Sequence, residues 1–161
     1  MEYVLIKTLH ILFAGIWMTG LIIDSLLRSA VSLNKHKSGE KKFIRLYLNV
    51  TNILGIIGSS GILVSGIILV TNSGYQFFQM DAQHWLTTKQ IIMVIMLVII
   101  FSLIIPTAKK IKTALGEDLE SNQVISEEGY KNLYKLYKLN TVVNVLVLIN
   151  FLLAATHWLI G

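Results

Sequence analysis

A chain of 161 residues has room for one compact unit, yet 54% of it is hydrophobic and only 14% is charged. Soluble proteins carry roughly a quarter of their residues as charges, so an ordinary soluble domain is excluded. The formal net charge of +5 does not mark a nucleic-acid surface, because Lys and Arg cluster in particular loops; the absence of cysteine removes disulfides and thiolate metal sites.

The apolar residues form four blocks, at about 3–28, 46–71, 86–107 and 139–160, each meeting the ~20 residues a spanning helix needs. The pattern predicts an all-α integral membrane protein, a single domain over 1–161 folded as an antiparallel up-down-up-down four-helix bundle. The first block has Glu2 instead of a basic lead-in, is too long for a signal-peptide core and contains Asp24. It reads as a retained anchor.

Alternating three- and four-residue steps along this first helix pass through Tyr3, Lys7, His10, Ala14, Trp17, Leu21, Asp24 and Arg28. Charge placed in hydrocarbon costs at least ~2.5–3.5 kcal/mol per residue, so this stripe is expected to face inward. Asp24 and Arg28, four apart, are expected to form an ion pair that fixes topology. Lys7 and His10 have no such partner on their own helix and are functional candidates.

The first loop carries Lys35, Lys37, Lys41, Lys42 and Arg45 against Glu40 alone. On the second helix Asn52, Gly55, Ser59 and Gly66 share one face, while Gly58, Gly61 and Ser65 share the next. Small-residue faces admit either a flat macrocycle or a neighbouring helix, and both readings stand equally here. The connection from Asn72 to Thr88 has no Lys or Arg; its Tyr75, Phe77, Phe78, Met80 and Trp85 suit an interfacial aromatic belt. His84 opens the third helix, Lys89 follows with no carboxylate one turn away, and Pro106 stands where that helix is expected to end.

Lys109, Lys110 and Lys112 open the last loop, and an acidic polar stretch runs from Gly116 to Gly129. Ser126 before Glu127 and Glu128 reads as an N-cap with an acidic first turn. Lys131, Lys135 and Lys138 then lead into the fourth span, where Asn140 and Asn144 are expected to hydrogen-bond between helices. Short loops rich in Lys and Arg stay in the cytoplasm, which puts both termini outside, in a bacterial inner membrane.

That topology gathers His10, His84 and His157 in the outer half of the bundle, while His36 stays in the basic loop. Imidazole ligates haem iron, copper and zinc, and bundles hold such cofactors between facing helices. A haem b with two axial histidines fits His10 with His157 first and His10 with His84 second. The same three histidines, joined by Met80, would serve copper directly. Lys7 and Lys89 would neutralise a propionate or hold an anionic substrate. Trp17, Asn150, Gly58 and Gly61 complete the expected cofactor site, Asn150 sharing a helix face with His157.

Leu9-His10-Ile11, followed by Trp17, Gly20-Leu21 and Arg28, resembles the opening helix of a group of small bacterial membrane proteins. The group includes the copper-resistance D domain and the oxygen-independent membrane protoporphyrinogen oxidase of haem synthesis. Trp85-Leu86 with Lys89 looks like the third helix of that oxidase, whereas the spacing to Arg28 is more like the copper-resistance group. The resemblance implies four helices, a b-type haem, and roles for His10 and Lys89. The expected function is electron transfer, or an oxidoreductase reaction with a quinone, an oxygen species or nitric oxide. A protoporphyrinogen oxidase-like enzyme using Lys89 and Lys7 is the second expectation and copper binding or transport the third. A structural subunit without cofactor is the fourth, and homo-oligomerisation is left open.

Overall fold

A helix of 32 residues is about 48 Å long, well beyond the ~30 Å of a bilayer's hydrocarbon layer. The structure, a computed structural model, describes residues 2–79, 84–120 and 125–160, with side chains throughout except at 117–120 and 157–160. The elements are α1 (Glu2–Leu33), α2 (Glu40–Asn72), α3 (His84–Ile99), a π-helical turn (Ile100–Ile104), α4 (Ile105–Glu120) and α5 (Glu127–Ile160). Because α3, the π turn and α4 run on as one rod, there are four rods among the described residues, each long and apolar enough to cross a membrane. This is the all-α four-helix architecture expected, in a multi-pass membrane protein. Each rod extends further at the basic end than its apolar block required.

The expected stop at Pro106 is a correction, since the helix continues to Glu120. Proline lacks an N–H and its ring crowds the carbonyl four residues back. The wider turn just before it relieves that crowding: the Ile105 N–H bonds to the Ile100 carbonyl, five residues back. Hydropathy falls after Pro106, but the backbone does not break.

α1 and α2 pack along their length as a hairpin, and α5 closes the bundle against α3, α4 and α1. Two apolar cores result. One, at the basic end, joins Val31, Ile44, Tyr47, Leu48, Ile111 and Leu136, with Tyr47 at 0% exposure. The other lies mid-bundle and joins Trp17, Met93, Met96, Val143 and Val147. Residues such as Ile11, Ile22, Val64 and Phe101 point outward, as lipid-facing positions do.

The basic end is fastened by polar contacts. Glu40, the first residue of α2 and buried, accepts the His36 N–H at 3.0 Å and the Tyr130 hydroxyl at 2.6 Å. It therefore ties the α1–α2 turn to α5 while meeting the positive end of its own helix. Ser126 caps α5 as expected, its Oγ accepting the Gly129 N–H at 3.2 Å. Ser126→Ala is expected to cost about 1 kcal/mol and to speed amide exchange at Gly129 and Tyr130. Unchanged exchange at both amides would show the cap to be idle.

Candidate functional site

Two polar sites interrupt the apolar rods, and both begin on the α1 stripe. Going inward from the chain start, Tyr3 and Lys7 are exposed, His10 is half-buried, and Trp17, Asp24 and Val31 are buried. The stripe thus faces the bundle from His10 onward. Lys7, expected near the cofactor, lies on the exposed part of α1.

His10 turns its ring toward α2. Its Nδ1 lies 2.8 Å from the Ser65 Oγ, and its Cε1 would be 3.4 Å from a Cβ at Gly66. Ser65 has one hydroxyl proton, and that proton is directed to the carbonyl of Gly61 one turn back. The serine oxygen keeps lone pairs with which to accept from His10, an arrangement compatible with a proton on Nδ1 and a lone pair on Nε2. A histidine oriented this way is prepared to be a metal ligand, because ligating imidazoles donate their other N–H to a fixed acceptor.

Lys89 on α3 is close enough for its charge to act on the His10 ring, and its Nζ stands 5.5 Å from the Trp85 ring centroid. Beside it, Gln90 accepts the Phe78 N–H at 2.7 Å, which leaves its buried Nε2 without a partner among the described residues. Asn150 on α5 likewise has a buried Oδ1 with no partner. Lys89 and Asn150 stand about one turn beyond the Trp17–Met93–Val147 layer, at ~6 and ~4.5 Å. Three helices therefore carry polar groups between that layer and the chain ends.

The α2 face that carries Gly58 and Gly61 is filled. A Cβ on Gly58 would lie 2.8 Å from that of Trp17, and one on Gly61 would fall on the Phe13 ring. Of the two readings open for this face, the structure contains helix packing. Gly58 and Gly61 thus leave no slot for a macrocycle between α1 and α2, and Trp17 is occupied as their packing partner. Any cofactor must enter from the α3 and α5 side. His84 is exposed at the start of α3. The side chain of His157 and all of Met80 lie outside the described residues, and no group of three or more His, Cys, Asp or Glu forms a metal cluster among those described.

The second site is larger than its expected ion pair. Asp24 does pair with Arg28, at 2.6 Å, and its other oxygen accepts the Tyr47 hydroxyl at 2.8 Å. Asn144 donates to Asp24 at 3.1 Å and Asn140 to the Tyr47 oxygen at 2.8 Å, so both asparagines bond between helices as expected. Arg28 reaches the Thr141 hydroxyl and the Tyr137 carbonyl, each at 2.8 Å, and covers the Tyr137 ring at 4.9 Å. One carboxylate thereby ties α1, α2 and α5 together. Tyr47 had no place among the sequence-derived candidates; only its position opposite Asp24 reveals it.

Comparison with protein-family models, with curated proteins and with solved structures gives no match.

Proposed function

We propose that this chain is a membrane b-type haem protein whose site lies at the His10 end of the bundle. It would serve electron transfer, or a redox reaction with a quinone, an oxygen species or nitric oxide. The observation that supports this reading most is the contact with Ser65 that orients the half-buried His10 ring. A haem bound there would supply one-electron iron chemistry. His10 would be the residue that holds the iron, and Lys89 would supply a cation to a propionate. Gln90 and Asn150 carry buried polar atoms without a partner among the described residues at this end of the bundle. His157 and His84 remain the candidates for a second ligand.

The closeness of Lys89 to His10 also favours a second reading, an enzyme acting on an anionic porphyrinogen, with Lys89 at the substrate. Copper binding by His10, His84 and His157 is the third. For all of them we place the basic end in the cytoplasm and both termini outside a bacterial inner membrane, on the distribution of Lys and Arg.

The test is the visible spectrum of the detergent-purified protein. A Soret band that sharpens on reduction is expected, and His10→Ala should remove or displace it. Ser65→Ala keeps the ligand but frees the ring, and should weaken haem affinity by roughly 10–100-fold. Colourless wild-type protein that binds copper would reject the haem reading, as would a His10→Ala spectrum identical to wild type. Restoration of haem synthesis in cells lacking porphyrinogen oxidation would select the enzymatic reading.

A further inference from the structure

α2 leaves one of its sides uncovered. It packs along α1, and its only other sizeable contact is with α4. Steps of three and four residues carry the side turned away from Gly58 and Gly61 through Asn49, Asn52, Ile56 and Ser60. All four are exposed, Ile56 at 55%. A side that meets only lipid tails has no use for an amide or a hydroxyl. Among the described residues, neither Asn52 nor Ser60 makes a hydrogen bond.

Depth makes that lack costly. The apolar block of this helix runs over 46–71, so Ser60 lies ~2 Å and Asn52 ~10 Å from its middle. Both fall within the ~15 Å half-thickness of the hydrocarbon, where no water is at hand for an unbonded polar group. Asn49, at ~14 Å, reaches the edge, where water and headgroups serve it. Elsewhere the chain provides for such groups itself. Thr8, Thr19 and Thr51 return their hydroxyls to carbonyls one turn back, and Asn34 does the same with its amide. Asn140 and Asn144 bond across helices. Asn52 has neither outlet.

We propose that α2 pairs in parallel with α2 of a second copy of this chain, Asn52 facing its own counterpart. Two copies share one orientation in the membrane, so a two-fold axis along the membrane normal sets every residue of this face at the depth of its twin. An amide is self-complementary, since its NH2 donates and its oxygen accepts; two asparagines related by the axis exchange both bonds. A different membrane protein would need a polar group of its own at that depth, whereas a second copy brings one. Ile56 packs at the seam one turn away, and Ser60 adds a small residue one turn further. The pairing uses none of the residues assigned to haem and stands apart from that reading.

The chain has no cysteine, so one introduced thiol reports on this face. Full-length Ile56→Cys protein in liposomes, at a low protein-to-lipid ratio and under mild oxidation, should form a disulfide-linked dimer. Ile22→Cys, exposed on α1, should not. Energy transfer between fluorescently labelled copies, followed as lipid dilutes the protein, measures the dissociation constant. Asn52→Val should weaken association roughly tenfold with helix content unchanged by circular dichroism. Asn52→Gln should retain most of the association, and Asn49→Val all of it. A wild-type chain that stays monomeric throughout the dilution series would overturn the proposal. So would equal association of wild type and Asn52→Val, or cross-linking of Ile22→Cys as efficient as that of Ile56→Cys.

Discussion

Asp24→Ala should lower the stability of this protein by about 3–5 kcal/mol, the usual cost of breaking a buried ion pair from one side. The loss is large because four side chains depend on that one carboxylate. Arg28 loses its counter-charge, Tyr47 and Asn144 lose their acceptor, and Asn140 keeps a hydroxyl that no longer has a fixed direction. Tyr47 cannot turn to water for replacement, since it has no exposed surface. Removing Arg28 as well should cost less than the sum of the two single changes, because the stranded cation disappears with it. Unfolding of detergent-solubilised protein in a denaturant series measures both variants. An Asp24→Ala protein as stable as wild type would mean that the network is not needed to hold the bundle.

Gly61→Leu carries the second large effect, by the opposite route of adding atoms. Any Cβ at this position falls on the Phe13 ring, so a leucine must push α1 and α2 apart. Overpacking of this kind costs about 1–3 kcal/mol, and the displaced hairpin also carries Ser65 and His10. The variant should therefore lose stability and haem affinity together. Gly55→Ala is the matched control, as nothing lies within 4 Å of its added methyl group. It should be neutral, or more stable by up to about 1 kcal/mol through helix propensity. A Gly61→Leu protein that behaves like Gly55→Ala would show that the hairpin is looser than the contacts describe.

Both predictions start from positions the sequence already singled out, but their partners were not legible there. Helical spacing placed His10, Trp17, Asp24 and Arg28 on one face, since a 3.6-residue period is a local property of one segment. Which groups meet that face depends on the rotation of α2 and α5, and no local period encodes it. Tyr47 is one of six tyrosines, standing at the very start of the second apolar block, where nothing in the local pattern marks it. The glycines of α2 illustrate the same limit. Their small size showed that something approaches closely, but Phe13 and Trp17 became identifiable only once α1 was in place. Hydropathy likewise marked the lipid-crossing lengths well and missed the added turns at the basic end, whose core is assembled from residues scattered among lysines.

The turn from Ile100 to Ile104 bears on the same question of rotation. From Met96 to Leu115 the buried side recurs at Met96, Ile100, Ile104, Thr107, Ile111 and Leu115, wholly or partly covered at each point. Five turns of regular helix would use about 18 residues for that stretch, and the chain spends 19. The surplus residue, taken up by the π geometry, keeps the two halves of the rod in angular phase. Deleting one residue there would rotate everything downstream by about 100°. Lys112 would then arrive where Ile111 now meets Leu133 and Leu136, so the length of this turn decides whether the basic end has an apolar interior at all.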